Sequence, residues 1–294
     1  MGRVAFVFSG QGDQFPGMGR ALYETSPAAA AVFDTCEALR PGTLEQCFHG
    51  SAEALKQTEN TQPCLFAMEL AAFAALGERG IAPEALAGFS LGEVAAATAA
   101  GLFTLETGFH LVCRRGKLMQ AAAEARDTAM AAVVKLPNNQ VEALCAEYGV
   151  YPVNYNCPGQ VSVSGLAEKM PPFSQAVRAA GGRAIPLKVK GAFHSPYMAE
   201  AAEKFAEALK TAEVLEHTVP IYSDLTAKPY TGDVRALLAK QICSPVRWEE
   251  IIRNLIAEGF DTFIEVGPGR TLTNMIAKID SAVSACPVSE VASC

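Results

Sequence analysis

The stretch LAGFSLGEVAAATAA, residues 86–100, decides the fold of this chain. Residues 86–89 form a short apolar run typical of a buried strand, and residues 93–100 form an alanine-rich run typical of a helix. A serine between two glycines at a sharp strand-to-helix turn is typical of a nucleophile elbow, so we predict that Ser90 is a nucleophile. The alternative interpretation is a plain turn in which Ser90 caps the helix.

The neighbours of Ser90 suit the chemistry of an elbow. Gly88 and Gly92 remove side chains where a strained turn would crowd them. The start of the helix leaves backbone N–H groups without helical partners, notably that of Leu91, and such groups can stabilise an oxyanion.

A second segment, GAFHS at residues 191–195, supplies a candidate base for this serine. His194 is one of only four histidines in the chain, so a base for Ser90 has few other candidates. A Ser–His pair carries out acyl transfer, either to water or to another acceptor.

The composition excludes several classes of protein. With 294 residues, of which 50% are hydrophobic, the chain can bury a large core as one domain or two. The net charge of −7 argues against nucleic-acid binding. The sequence has no run of about 18 apolar residues that would span a membrane, and its N-terminus lacks the apolar region of a signal peptide. We therefore expect a cytoplasmic protein with no membrane partner.

The nine cysteines are scattered, without a C-x-x-C pair and without clustered histidines. This spacing favours neither a metal site nor a disulfide framework, and we expect reduced cysteines that fill core space. The sequence leaves open whether the tail at residues 286–294, which holds two of the cysteines, is exposed and thiol-reactive.

Strands and helices alternate along most of the chain, but residues 127–192 follow a different order. The elements predicted there are strand 129–135, helix 138–148, strands 152–156 and 160–164, helix 168–180 and strand 183–189. The order βαββαβ is that of a ferredoxin-like unit. We predict an α/β protein in which this ferredoxin-like subdomain is inserted into a large, α/β-hydrolase-like domain of residues 1–126 and 193–294 with a mostly parallel sheet.

The predicted layout brings the two candidate residues together. The other elements predicted for the large domain are strand 3–8, helix 61–79 with Asn60 as its N-cap, helix 105–124, helix 196–211, strand 219–223, helix 246–258 and strand 260–266. Ser90 then follows a central strand, at the sheet edge where α/β proteins bind ligands. His194 lies where the chain leaves the insert, so a cleft between the two parts would place the pair face to face.

Four segments together resemble one family, the malonyl-CoA:acyl carrier protein transacylases. They are GQGDQ at 10–14, GFSLGE at 88–93, GAFHS at 191–195 and EVGPG at 265–269. The resemblance extends to NTQP at 60–63, RGKLMQ at 115–120 and NYNCPGQV at 154–161, and it covers essentially the whole chain. Each motif alone is moderately specific, whereas the ordered set is highly specific.

The resemblance implies a two-step transfer through the serine. In this family the serine attacks malonyl-CoA, forms a malonyl ester and releases coenzyme A, and the phosphopantetheine thiol of acyl carrier protein then takes the malonyl group. His194 would act as the base, oriented by the backbone carbonyl of Gln241 rather than by a carboxylate. The sequence supports this only weakly: Asp127 is the one aspartate between Ser90 and His194, and glutamates there leave a conventional triad open.

The resemblance also assigns the oxyanion hole and the substrate contacts. The backbone N–H groups of Gln11 and Leu91 would form the oxyanion hole, although without the resemblance Gln11 is better interpreted as an ordinary polar turn residue. Arg115 would bind the malonyl carboxylate, while the sequence alone does not separate it from Arg114. The acyl pocket would be lined by Gln62, Asn156, Phe193 and Phe89. At this last position the family often has histidine, which puts the fine acyl selectivity in doubt.

The expected substrate is malonyl-CoA and the expected partner is acyl carrier protein, with no bound cofactor, no metal and a monomeric state. The leading hypothesis is malonyl loading for fatty acid synthesis. Alternatives are a free-standing acyltransferase of polyketide synthesis or malonate decarboxylase, a hydrolase of acyl thioesters, and a silent carrier-docking protein. Because acyl carrier proteins are typically acidic, we expect a basic docking patch near the cleft. Its candidate residues are Arg114, Lys117, Lys188, Lys190 and Arg270.

Overall fold

The computed structural model describes residues 2–189, 191–217 and 219–293. Residues 292 and 293 are described by their backbone alone. The strands are β1 (Arg3–Phe8), β2 (Ala85–Gly88), β3 (Thr128–Val134), β4 (Tyr151–Cys157), β5 (Gln160–Leu166), β6 (Arg183–Pro186), β7 (Ile221–Tyr222), β8 (Phe260–Val266) and β9 (Ser284–Pro287). The helices are α1 (Arg20–Thr25), α2 (Pro27–Leu39), α3 (Thr43–His49), α4 (Thr58–Glu78), α5 (Leu91–Ala99), α6 (Leu105–Glu124), α7 (Asn138–Tyr148), α8 (Met170–Ala179), α9 (Ala199–Lys210), α10 (Val234–Gln241), α11 (Trp248–Ala257) and α12 (Thr271–Ile279).

The larger sheet is parallel throughout and has the strand order β7-β2-β1-β8-β9. Its central strand, β1, is apolar and buried from Ala5 to Phe8, as expected of a parallel strand covered on both faces. Phe6 and Phe8 belong to the apolar core on one face of the sheet, and Ala5 and Val7 belong to the core on the other face. The carboxyl ends of β7, β2, β1 and β8 meet at one edge, where the candidate site lies.

The second sheet is antiparallel and has the order β4-β5-β3-β6. Alternate residues of β3 face opposite sides: Ala131 and Val133 pack in a core with α7 and α8, while Met130 and Ala132 line a cavity. The protein is therefore of the α/β class, with a mostly parallel sheet and a separate antiparallel one.

Helix α4 begins three residues earlier than the sequence predicts, so the assignment of Asn60 as its N-cap is wrong. The cap is Gln57, and the Asn60 side chain instead accepts from Arg40 at 2.9 Å and donates to the carbonyl of Ala54 at 3.1 Å. The helix also continues through Pro63, which lacks the N–H that would donate to the carbonyl of Glu59 in the preceding turn.

Other element boundaries also differ from those predicted. Strand β6 ends at Pro186 rather than at Val189. Beyond Pro186 the chain leaves the sheet, and Leu187 and Val189 line the cavity instead. The sequence prediction lacks α1, α2, α3, α10 and α12.

Seven cysteines are free, but Cys286 is disulfide-bonded, so the expectation of reduced cysteines is wrong at that position. Cys294, at the end of the tail in question, lies outside the described residues. Within the described part of the chain, every helix is too short or too polar to cross a membrane.

Candidate active site

A cavity of about 300 Å³ opens between the two sheets at the carboxyl edge of the parallel one. The large sheet contributes residues 10–13 and 89–91, and the antiparallel sheet contributes Asn154, Asn156 and Ser162. Ser90 and His194 both lie on its wall. The cleft expected from the sequence is therefore present, and it contains both residues.

Ser90 occupies a strained turn between β2 and α5. Its φ of 58° and ψ of −104° are unfavourable for any residue other than glycine. The turn closes because Gly88 and Gly92 lack side chains: a Cβ on Gly88 would overlap the backbone of Gly92, and a Cβ on Gly92 would overlap the backbone of Phe8. Leu91 is the first helical residue, where N–H groups lack intrahelical partners, and it lines the cavity.

His194 lies within hydrogen-bond distance of the serine. Its Nε2 is 2.6 Å from Ser90 Oγ, and its Nδ1 is 3.0 Å from the backbone carbonyl of Gln241. A carbonyl can only accept, so Nδ1 carries the proton and Nε2 accepts from the serine hydroxyl. Asp127, the aspartate that a conventional triad would have used, is exposed at the start of the antiparallel sheet.

The electrostatic surroundings keep His194 neutral. Burial, and after it the charge of Arg115, lowers the pKa of His194 from 6.5 to about 4. At physiological pH the imidazole is therefore unprotonated, which is the form that a general base requires.

Arg115 is almost completely buried on α6 and points at Ser90. It donates to Gln62 Oε1 at 3.0 Å, to Ser90 Oγ at 3.2 Å and to Gln241 Oε1 at 2.8 Å. Its Nε is buried and has no hydrogen-bond partner within the described residues. Burial lowers the pKa of Arg115 to about 10, so it remains charged at neutral pH. Arg114, which the sequence alone did not separate from Arg115, is exposed.

The remaining predicted substrate contacts all lie on the cavity wall: Gln62, Phe89, Asn156 and Phe193. Gln62 is buried against Arg115 and also approaches Met119 Sδ at 3.4 Å. Asn156 donates to Ser162 Oγ at 3.1 Å, and its buried Oδ1 has no partner in the described part of the chain. The ring of Phe89 packs edge-on against Trp248 at 5.6 Å between centroids.

Gln11 lines the cavity opposite Leu91, in the loop that follows β1. A buried carboxylate holds this loop: Glu265 accepts from Ser9 Oγ at 3.4 Å and from the N–H groups of Leu272 and Thr273 at 3.0 and 2.7 Å. The EVGPG segment at 265–269 thus joins the end of β8 to the start of α12 and to the Gln11 loop.

The sequence interpretation missed a buried polar network behind the serine. Asp224 and Glu93 are fully buried, and the Gln241 side chain donates to both carboxyls, at 3.0 and 2.8 Å. Tyr230 donates to Glu93 Oε1 at 2.7 Å. Glu93 stands in the GFSLGE motif, but Asp224 and Tyr230 have no local signal in the sequence. The sequence interpretation assigned a role only to the backbone carbonyl of Gln241, not to its side chain.

This geometry is accompanied by sequence similarity along the whole chain. The family model described as "Acyl transferase domain" matches residues 5–293. The chain belongs to the acyl transferase family. The malonyl CoA-acyl carrier protein transacylase of Bacillus subtilis (strain 168) is 40% identical over 299 residues, which cover 99% of this chain and 94% of that protein. The family resemblance stated from the motifs is confirmed, and the protein is an acyltransferase.

Solved structures are similar to this acyltransferase over nearly its full length. The malonyl CoA-acyl carrier protein transacylase from Coxiella burnetii matches with a TM-score of 0.95 at 30% identity, covering 98% of this chain and 94% of that one. A malonyl-transacylase solved in complex with its type II PKS acyl-carrier protein matches with a TM-score of 0.94 at 34% identity. The match covers 97% of this chain and 95% of that one.

The candidate docking residues of this acyltransferase are exposed where they are described. Lys188 lies between the cavity residues Leu187 and Val189, and Arg270 precedes the cavity residue Thr271 and forms an ion pair with Glu290 at 3.3 Å. Two further candidates, Arg114 and Lys117, lie on α6, and Lys190 lies outside the described residues. Among the described residues, no group of three or more His, Cys, Asp or Glu side chains is arranged to hold a metal ion.

Proposed function

We propose that this acyltransferase moves a malonyl group from malonyl-CoA to the phosphopantetheine thiol of acyl carrier protein through a malonyl ester on Ser90. One observation carries the proposal: the Ser90 hydroxyl lies between a neutral base and a buried cation, 2.6 Å from His194 Nε2 and 3.2 Å from an Arg115 amine. The base suits acyl transfer, and the cation suits an acyl group with a free carboxylate.

In the first step His194 removes the proton of Ser90 as Oγ attacks the thioester carbonyl. The Oγ–C bond forms, and the negative charge moves to the carbonyl oxygen. The N–H groups of Gln11 and Leu91 would stabilise that oxygen. When the C–S bond breaks, the imidazolium of His194 returns its proton to the thiolate of coenzyme A.

The second step reverses the first with a different thiol. His194 takes the proton of the carrier thiol, the sulfur attacks the ester carbonyl, and the C–Oγ bond breaks as the proton returns to Ser90. The two steps together exchange one thioester for another of similar energy. Transfer is therefore reversible, and its direction follows the concentrations of the two thiols.

Arg115 would select malonyl over acetyl groups. Among the residues that the structure describes, three of the five N–H donors of its guanidinium have partners, and the Nε–H, which has none, offers a donor to a carboxylate. In malonyl-CoA one methylene separates the carboxylate from the reacting carbonyl, so a cation that touches the nucleophile can also bind the carboxylate. An acetyl group would leave the buried charge without that partner.

We also propose the carrier partner and the division of the chain. The solved complex of a related malonyl-transacylase with its acyl-carrier protein supports a carrier as acceptor, and Lys188 and Arg270 flank the cavity where a phosphopantetheine arm would enter.

The strand order β4-β5-β3-β6 with α7 and α8 on one face supports a ferredoxin-like insert at 127–192 in a hydrolase-like domain of 1–126 and 193–294. A monomeric state and a cytoplasmic location stay predictions.

The proposal is tested by intact-protein mass spectrometry after brief mixing with malonyl-CoA, followed by addition of holo acyl carrier protein. We expect a malonyl adduct on the enzyme that then moves to the carrier. Ser90→Ala should form no adduct, whereas Ser51→Ala, a change at an exposed serine, should behave as wild type. An adduct that decays to free malonate with every carrier of a fatty-acid and polyketide panel would contradict transfer and favour the hydrolase.

A further inference from the structure

Buried side chains from distant parts of the chain hold both peptide groups of Ser90. Its N–H donates to Asp224 Oδ2 at 2.7 Å, and its carbonyl accepts from Gln241 Nε2 at 2.6 Å. These bonds matter because the residue has a positive φ of 58°, which a non-glycine residue keeps only when its surroundings enforce it. The direction of Oγ depends on this backbone conformation.

The strand order fixes Asp224 at this position. Strand β7 is the neighbour of β2, so the residues that follow the two strands meet at the same edge. The turn after β7 is closed by bonds from the N–H of Ala227 to the carbonyl of Ser223 and from the N–H of Leu225 to Ser223 Oγ. The N–H of Arg247 donates to the carbonyl of Asp224. Asp224 therefore has little freedom to move away from Ser90.

The neighbours of Asp224 explain how a carboxyl group is accommodated there. Its carboxyl lies near that of Glu93, and the Gln241 amide donates to both groups. Burial, and after it the charge of Glu93, raises the pKa of Asp224 well above its ordinary value. Burial lowers the pKa of Arg115, and the nearby carboxyls of Asp224 and Glu93 partly offset that lowering.

We propose that Asp224 is a positioning residue of the acyl transfer, whose carboxyl holds the backbone of Ser90 so that the hydroxyl faces His194. Asp224 lies behind the serine and not on the cavity wall, so it acts through Ser90 rather than on the substrate. The inference rests on the proposed role of Ser90 as the nucleophile.

The test compares three variants with the wild type. Asp224→Ala removes the acceptor for the Ser90 N–H. Asp224→Asn keeps an acceptor oxygen for that N–H. Tyr230→Phe removes a buried hydrogen bond from the same network without touching Ser90. Each folded variant is assayed for the rate of malonyl adduct formation and for the rate at which a fluorophosphonate labels Ser90, since the second reaction does not depend on malonyl recognition.

We expect Asp224→Ala to lower both rate constants at least about tenfold, because small misplacements of a reacting group cost this much or more. The KM for malonyl-CoA should change less than about threefold, since Asp224 does not contact the substrate, and Asp224→Asn and Tyr230→Phe should stay within about threefold of wild type. A purely structural role would lower the melting temperature of Asp224→Ala and leave both rate constants unchanged, which overturns the proposal.

Two further outcomes are informative. If Asp224→Ala does not fold, Asp224→Asn tests the proposal. This variant keeps the acceptor oxygen, so a tenfold fall in its two rate constants would also overturn the proposal. If the wild type reacts with the fluorophosphonate but takes no malonyl group, the proposed function fails, and the labelling rates of the variants still test the role of Asp224.

Discussion

Replacing Arg115 by alanine should remove most of the preference for malonyl-CoA over acetyl-CoA. The guanidinium is fully buried, carries a charge at neutral pH, donates to Ser90 Oγ and has an Nε–H without a partner among the described residues. A hydrogen bond to a charged group contributes about 1.5–3 kcal/mol, so a bidentate contact with the malonyl carboxylate contributes about 3–6 kcal/mol. Since about 1.4 kcal/mol corresponds to a factor of ten, kcat/KM for malonyl-CoA should fall at least about 100-fold.

The measurement is the rate of adduct formation with each thioester, followed by intact-protein mass spectrometry. Acetyl-CoA has no carboxylate to lose a partner, so its rate should change much less. Arg115→Lys keeps the charge without the planar fork and should give an intermediate preference. Arg114→Ala, the same change at the exposed neighbouring residue, should leave the preference intact. An unchanged malonyl-to-acetyl ratio in Arg115→Ala would refute the assignment of the carboxylate to this residue.

Three other predictions concern the nucleophile, the base and the elbow. Ser90→Ala should lose labelling by malonyl-CoA and by a fluorophosphonate; labelling that persists would exclude this serine as nucleophile. Burial and Arg115 lower the pKa of His194 to about 4, so kcat/KM should stay level as the pH falls through 6.5 and be lost near pH 4; a midpoint near 6.5 in a pH–rate profile would contradict a buried neutral base. Gly92→Ala should lower the free energy of unfolding, measured in urea, by at least about 2 kcal/mol, because its Cβ would overlap the Phe8 backbone. Gly77→Ala, at a position with open space, should not lower it. Equal free energies of unfolding for the two variants would exclude the steric argument.

Local patterns were sufficient for the elements on either side of the serine. The apolar run before Ser90 and the alanine-rich run after it correspond to β2 and α5, because a strand–turn–helix transition is encoded by residues that are adjacent in the chain. The main elements of residues 127–192 also follow one another along the chain in the predicted order βαββαβ. Local patterns failed at Asn60, whose side chain bonds Arg40 instead of capping α4, since that choice depends on a partner 20 residues away.

The sequence by itself determined the family, the α/β class and the pairing of a serine with a scarce histidine, because each of these has a motif or a count that can be read locally. Only the tertiary structure decided what surrounds the pair. The contact between Ser90 and His194 spans 104 residues, and that between Ser90 and Asp224 spans 134. Single polar residues such as Asp224 and Tyr230 leave no periodic signal, and their burial beside the nucleophile follows from the order in which the parallel strands pack.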